Sequence, residues 1–200
     1  MKIEGLHHAS IKLIGEEVIY FDPYNVKEKY QDADYIFITH DHYDHYDKES
    51  IENIRKEDTK IIVPTHLSNE EHHYLVEPNK HYEIDDLIFD TVPSYNIGKP
   101  YHPKEKGCVG YNIYLEKEWY YIMGDTDITE EAKLVKTDIC FVPIGGVFTM
   151  DVAEASEYIQ MIKPKKAIPI HYGQIVGDIS LGEEFQKRNQ NIEIERIMEE

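Results

Sequence analysis

The sequence predicts a layered domain of the α/β or α+β class, in which helices cover β-sheets. Strand-like segments come first along the chain, and strands that alternate with helices follow them. The 200 residues contain no Ser/Gly linker, short-period repeat or low-complexity block that would mark a domain boundary. We therefore expect residues 1–200 to fold as one domain, long enough to bury a large core.

The predicted strands are short segments rich in Ile, Val, Tyr or Phe. The first 22 residues are expected to form a hairpin, because the apolar and β-branched segments ASIKLI and EVIYFD lie on either side of a Gly-Glu turn. Further strands are expected at residues 34–39, 60–63, 81–92, 109–115, 118–123, 138–144 and 166–170.

Three helices are expected between these strands. Segment 151–163 has apolar residues at helical spacing before Pro164. Segment 129–136 begins with a threonine and two glutamates, in the manner of an N-capped helix. The third helix is expected at 47–56, directly after a turn rich in histidine and aspartate.

The chain is strongly acidic, since 21 basic and 39 acidic residues give a formal charge of -18. Such a surface repels nucleic acid and anionic lipid, so neither is expected as a partner. The N-terminal segment MKIEGLHHAS lacks the apolar core of a signal peptide, and only Cys108 and Cys140 are present. No apolar stretch approaches the ~20 residues of a membrane helix. We therefore expect a cytoplasmic protein without membrane contact.

The turn THDHYDHYD, residues 39–47, carries the strongest chemical signal. Because a strand is predicted to end at Thr39, His40 and His42 point the same way and can bind one metal ion. Asp44 and His45 lie on the following turn and can face a second ion. Imidazole nitrogen and carboxylate oxygen are typical ligands of zinc and other divalent first-row metals.

Two further strand ends carry ligand-type side chains. Asp125 follows an apolar strand and a glycine, and His171 follows the last predicted strand. His8, near the first short strand, and His102, in a loop bounded by proline and glycine, are additional candidates. The remaining histidines are not at strand ends and are expected as surface groups: His7, His66, His72, His73 and His81.

These motifs resemble the metallo-β-lactamase fold superfamily of metal-dependent hydrolases. The likeness rests on T-H-x-H-x-D-H after a strand, G-D-T after a later strand and a final strand that ends in histidine, and it spans most of the chain. HHAS, GDTD, PIGGVFTMDVAEA and IPIHYG are similar to a small, minimal-length group that includes ascorbate-phosphate lactonase-like proteins. The resemblance implies a four-layer αβ/βα sandwich, with two sheets face to face, helices outside and metals at one edge.

The resemblance also implies a ligand set for two metal ions. It assigns His40 and His42 to metal one, Asp125 to the bridge, and to metal two Asp44, His45 and His171. One element departs from the family pattern, because Tyr95 and Asn96 stand where a third histidine of metal one is usual. We expect His102 to complete that site, with Asn96, His8 or water as the alternatives.

The implied chemistry is hydrolysis by a metal-bridged hydroxide. Zinc is the expected cofactor, with Mn²⁺, Fe²⁺ and Ni²⁺ left open because of the departure at metal one. Asp44 is expected to orient the hydroxide, and His8 or Tyr172 to place or protonate a leaving group. Three residues are expected to support the ligands rather than react: Asp22, Thr39 and Asp41.

A small, anionic cytosolic ester, lactone or phosphodiester is the expected substrate, because the chain lacks the added segments of the superfamily's RNA-processing and thioester-hydrolysing members. Two alternatives remain. A redox di-iron site on this fold typically has glutamate where this chain has His42. A regulatory protein that binds metal or ligand without turnover is compatible with the departure at Asn96.

Overall fold

The computed structural model describes residues 1–68 and 73–198, which form two mixed β-sheets. The first sheet has, in spatial order, β1 (Lys2–Gly5), β2 (Ile11–Ile14), β3 (Val18–Phe21), β4 (Ala33–Phe37), β5 (Arg55–Pro64) and β6 (His73–Val76). The second has, in spatial order, β13 (Glu193–Ile194), β12 (Lys166–Ile170), β11 (Ile139–Pro143), β10 (Glu118–Ile122), β9 (Val109–Leu115), β8 (Leu87–Pro93) and β7 (His81–Ile84). The helices of the described residues are α1 (Lys48–Ile54), α2 (Val152–Ile162) and α3 (Ser180–Arg188).

Each sheet combines antiparallel and parallel pairing. Pairing is antiparallel from β1 to β3 and parallel from β3 to β6. In the second sheet it is antiparallel from β7 to β10 and parallel from β10 to β13. The parallel strands therefore direct their carboxyl ends to the same edge of their sheet, where polar side chains can converge.

The aromatic core between the sheets is built around Phe37 of β4. Its ring lies 5.1 Å from that of Phe21, 5.2 Å from that of Phe89 and 5.0 Å from that of Tyr111. Phe89 and Tyr111 belong to the second sheet, so these contacts join the two sheets face to face. Because side chains alternate along a strand, the neighbours of Phe37 point away from this core.

The opposite face of β4 packs on a helix. Ile36 and Ile38 belong to a separate apolar cluster that includes Ile51 and Ile54 of α1. On the far side of the molecule, α2 packs its apolar residues on the second sheet, and α3 packs on α2. The order is therefore helix, sheet, sheet, helices, which confirms the predicted four-layer αβ/βα sandwich.

Most predicted elements are present, but two predictions are wrong. Residues 81–92 form two strands rather than one, because Asp85 adopts a left-handed backbone (φ 51°) and turns the chain into a hairpin. The helix predicted at 129–136 is only a 3-10 turn, Ala132–Leu134, with other short turns at Thr65–Leu67 and Lys104–Lys106. Only Ala132 of that turn is buried, so a longer helix would have had no apolar face to pack.

Four short elements were not predicted: β1, β6, α3 and β13. They lie at sheet edges or near the end of the chain, where the apolar pattern is brief. His72 lies outside the described residues, as does the side chain of His73, so their predicted surface positions stay predictions. Within the described ranges, the helices are all too short or too polar to cross a bilayer.

Hydrogen bonds between the sheets close the edge at which β4 ends. The backbone N–H of Val109 donates to the carbonyl of Thr39 (3.1 Å), and the hydroxyl of Tyr111 donates to the carbonyl of Ile38 (2.7 Å). The start of β9 and the end of β4 are thereby fixed to one another. This edge carries the His- and Asp-rich turn.

Phe37→Ala tests the aromatic core. The side chain is fully buried against three rings, so truncation should lower the free energy of unfolding by about 3–5 kcal/mol. Leu134→Ala is the control, because Leu134 is 80% exposed and its loss should change stability by less than about 0.5 kcal/mol. Urea unfolding followed by circular dichroism measures both, and equal effects would contradict the described core.

Candidate metal centre

The first candidate metal group brings together His40, His42, His102 and Asp125. One ligand atom from each lies within 4.8 Å of all the others. His102 Nε2 is 3.1 Å from His42 Nδ1 and 3.6 Å from Asp125 Oδ2. Two imidazole nitrogens that face each other this closely need a proton or a cation between them. The structure thus places His102 beside the predicted ligands of metal one.

The second candidate group consists of His8, Asp44, His45 and His171, again within 4.8 Å of one another. Asp44 Oδ2 lies 3.4 Å from His8 Nε2 and 4.0 Å from His45 Nε2. The rings of His8 and His171 are in contact, with centroids 3.9 Å apart. This group therefore contains the predicted ligands of metal two and one additional histidine.

Asp125 lies between the two groups. Its Oδ1 is 3.3 Å from His45 Nε2, and its Oδ2 is 3.1 Å from His171 Nε2, both of the second group. The same Oδ2 also faces the first group, at 3.9 Å from His40 Nε2. A single carboxylate thus contacts nitrogen atoms of both groups, which is the geometry expected of a bridging ligand.

The donor atoms fit divalent cations. His40 Nε2, His45 Nε2, His171 Nε2 and Asp125 Oδ1 are buried without a hydrogen-bond partner. Buried polar atoms are otherwise nearly always hydrogen-bonded, so such a cluster indicates a cation-binding site. Nitrogen ligands about 2.0–2.1 Å from a tetrahedral zinc ion lie roughly 3.4 Å apart, close to several of the separations given above.

Hydrogen bonds behind the rings fix which nitrogen faces the cluster. Asp22 Oδ2 accepts from His45 Nδ1 at 2.7 Å, which directs His45 Nε2 inward. The Thr39 hydroxyl donates to Asp22 (2.6 Å) and therefore accepts from His40 Nδ1 (2.9 Å). In both rings Nε2 is thereby the nitrogen that faces the cluster. Asp22 and Thr39 thus have the supporting contacts expected from the sequence.

Asn96 has a similar contact with His102. Its Oδ1 lies 2.9 Å from His102 Nδ1, while its Nδ2 donates to the carbonyl of Phe148 (2.9 Å). Because Nδ2 is the donor to Phe148, Oδ1 accepts from His102 Nδ1–H, and His102 Nε2 is the nitrogen that faces His42. Asn96, which departs from the family pattern, therefore orients His102 toward the first group.

The charges of the cluster shift the pKa values of its members. Burial lowers the pKa of His40 well below its usual range and that of His102 to about 4. Burial opposes ionisation of Asp125, yet His171 and His45 hold its pKa well below normal. Burial also opposes protonation of His45, but Asp125 and then Asp22 raise its pKa. Asp125 is therefore a carboxylate, and a cation bound beside it would replace the proton of His45.

Several predicted residues lie outside both groups. Asp41 forms an ion pair with Lys106 (2.5 Å), which ties the ligand turn to the loop after His102. Tyr172 is fully buried with its hydroxyl against Gly182 of α3, so it does not face the cluster. His81 is exposed and pairs with Asp90, and neither His7 nor His66 belongs to a candidate group.

Ser94 was missed in the sequence. Its hydroxyl lies 2.9 Å from the carbonyl of Asp125 and 3.0 Å from that of Met123, which holds the backbone of the bridging residue. The sequence feature that could have indicated it is its position, since Ser94 is the first polar residue after β8.

A separate groove of about 890 Å³, lined by Asn112 and Trp119 among others, contains none of the eight side chains of the two candidate groups.

Comparisons with known proteins give consistent matches. A family model described as a Beta-lactamase superfamily domain matches residues 2–171. A UPF0173 metal-dependent hydrolase of Pyrococcus horikoshii is 30% identical, with 86% of this chain and 84% of that protein covered. A crystal structure of a metal-dependent hydrolase from Parabacteroides distasonis has a TM-score of 0.84 and 29% identity, covering 99% of this chain and 93% of the other. Igni18, a metallo hydrolase from Ignicoccus hospitalis, matches with a TM-score of 0.79 over 97% of this chain and 93% of the Igni18 chain. Because the two sequences are 21% identical, this match supports the fold alone.

His102→Ala tests the assignment of His102 to the first group. Removal of this imidazole should weaken binding of one metal ion at least about tenfold, because that group loses one of its nitrogen donors. Asn96→Ala should have a smaller effect in the same direction. The control is His66→Ala, because His66 belongs to neither group. Competition titration with a chromogenic chelator measures all three, and equal affinities would refute the assignment.

Proposed function

Because the chain belongs to the β-lactamase superfamily and its relatives are named as metal-dependent hydrolases, we propose that it hydrolyses a small substrate at a pair of zinc ions. The observation that carries this proposal is the Asp125 carboxylate, whose oxygens lie 3.1–3.9 Å from nitrogen atoms of both candidate groups. Imidazole and carboxylate donors suit zinc, and they also suit Mn²⁺, Fe²⁺ and Ni²⁺.

When bound, two cations supply an activated water and neutralise the negative charge that develops on the substrate. The residues of the chain position this chemistry. Asp125 holds the two sites at a fixed separation, and Asp22 and Thr39 fix the ring orientations of His45 and His40. These contacts preorganise the site before the substrate arrives, so little reorganisation is needed during reaction.

Asp44 is proposed as the residue that orients the attacking water. Its side chain is 11% exposed, whereas those of His8, His45 and His171 in the same group are at most 1% exposed. Among these four side chains, the Asp44 carboxylate is therefore the most accessible from solvent. A carboxylate in this position can accept a hydrogen bond from a water molecule and so direct a lone pair of the water oxygen toward the substrate.

The substrate is proposed to be a small anion. Two lysines of the segment around His102 already have acidic partners, Lys99 with Asp127 at 2.5 Å and Lys106 with Asp41 at 2.5 Å. An anionic group of the substrate would therefore be bound by the metal ions themselves. A long polyanion would meet the net negative charge of the surrounding surface.

A protein that binds metal or ligand without turnover is the second candidate. It is supported by the first group, whose third imidazole comes from the loop residue His102 rather than from a strand end. Turnover that a chelator abolishes and added metal restores would exclude it.

A cytoplasmic location is also proposed, because Cys108 and Cys140 are free and buried.

Asp125→Ala tests the metal pair. Loss of the carboxylate shared by both groups should abolish hydrolysis and remove most of the second metal ion. Wild-type protein reconstituted with zinc should approach two ions per chain by elemental analysis. The control is Asp90→Ala, because the Asp90 side chain is 44% exposed and belongs to neither group, so this variant should keep both metal content and activity. A fully active Asp125→Ala protein would refute the bridging role.

Substrate size and charge can be tested with one phosphodiester panel. An aryl phosphodiester should be hydrolysed faster than RNA, because the acidic surface disfavours a polyanion most strongly at low salt. Initial rates are measured at low and at high ionic strength with the same metal-loaded protein. Processive cleavage of RNA at low salt would contradict the proposed selectivity.

A further inference from the structure

His8 has the environment of a metal ligand rather than that of a reacting acid. Its ring is completely buried, and neither Nδ1 nor Nε2 has a hydrogen-bond partner. Nε2 nevertheless faces the second group, 3.4 Å from Asp44 Oδ2. A general acid must contact the substrate, and a ring with no exposed surface cannot do so without moving.

The backbone of His8 is held in an unusual conformation. Its φ is 56°, in the left-handed region that residues other than glycine rarely adopt. Two hydrogen bonds hold it there: the N–H of His8 donates to Gln174 Oε1 (2.9 Å), and its carbonyl accepts from the N–H of His171 (3.0 Å). Strained backbone that neighbouring segments enforce is common at functional sites. Here it directs the ring toward Asp44 and against His171.

We propose that His8 Nε2 is a ligand of the metal ion in the second group, alongside Asp44, His45 and His171. This inference rests on the proposed pair of cations. The second group would then offer four donors to the ion, and the Asp125 carboxylate lies beside them, 3.3 Å from His45 Nε2 and 3.1 Å from His171 Nε2. His8 therefore serves in metal binding and not in proton transfer to a leaving group.

The two metal ions then differ in function. The second ion lies among four buried side chains, whereas His42 in the first group is only half-buried. The first group would therefore be the more accessible to a substrate, and the second would hold its ion more tightly. Metal added in small steps should therefore fill the second group first.

The competing explanation is that His8 only donates a hydrogen bond to Asp44 and so orients that carboxylate. The two explanations differ in what a glutamine at position 8 can replace. A glutamine side chain can supply an N–H near the position of Nε2, but its amide nitrogen does not bind a metal. All non-glycine substitutions share the same backbone strain at this position, so the variants can be compared directly.

The first test counts ligand imidazoles in wild-type protein loaded with two Co²⁺ ions. Each coordinated imidazole retains one N–H that the cobalt shifts far outside the normal proton NMR range. The two groups contain three histidines each, so six such exchangeable signals are expected. Five signals would overturn the assignment of His8 while leaving the metal pair intact. Protein that accepts only one cobalt ion would overturn the metal pair itself and the inference with it.

The second test compares variants by cobalt titration. His8→Ala and His8→Gln should both weaken the tighter site at least about tenfold and lose one shifted N–H signal. His7→Ala, at the neighbouring histidine, is the matched control and should bind as wild type does. If His8→Gln retains wild-type affinity while His8→Ala does not, His8 acts through a hydrogen bond and the proposal is wrong. Thermal unfolding of each variant establishes that it is folded.

Discussion

The carboxylate of Asp22 connects the fold to the candidate metal centre. It accepts hydrogen bonds from the backbone N–H of Thr39 (2.7 Å), from the Thr39 hydroxyl (2.6 Å) and from His45 Nδ1 (2.7 Å). Its own N–H donates to the carbonyl of Phe37, the residue at the centre of the aromatic core (2.9 Å). A buried carboxylate without such partners would destabilise the fold. The hydrogen bonds from the turn therefore stabilise the Asp22 carboxylate, and the carboxylate in return fixes the geometry of the turn.

This arrangement separates the groups that define the shape of the site from the groups that face its interior. Asp22, Thr39 and Asn96 hold rings from behind, through Nδ1 atoms in each case. Nε2 atoms and the Asp125 carboxylate are left facing inward with few partners of their own. These supporting hydrogen bonds therefore stabilise the folded state, and they offset the free-energy cost of burying polar atoms that have few partners.

The strand-end pattern was informative because it depends only on local sequence and on the geometry of sheets. It led to His40, Asp125 and His171, which the structure places together. The roles of Asn96 and Ser94 could not be read in this way, since they depend on contacts with segments distant in sequence, Ser94 with Asp125 and Asn96 with Phe148. Asn96 departs from the family pattern, yet its contact with His102 gives it a supporting position.

The same distinction explains the errors in secondary structure. The segment at 129–136 has good helical end signals, but these did not determine its structure, because Ala132 is the one buried residue of its 3-10 turn and Leu134 is 80% exposed. The hairpin within 81–92 depends on a single left-handed residue, Asp85, which the apolar pattern does not report. Long buried strands such as β9 and β11 were found because their pattern and their packing agree.

The buried, unpartnered nitrogens of the metal centre have a consequence for how fast the protein is degraded in the cell. A ligand that binds only the folded state stabilises it by an amount that grows with its free concentration, about 2.7 kcal/mol at 100 times its Kd. Proteases that degrade unfolded chains would then remove metal-poor molecules faster than metal-rich ones. The amount of this protein in a cell would follow the supply of its metal, even with unchanged synthesis.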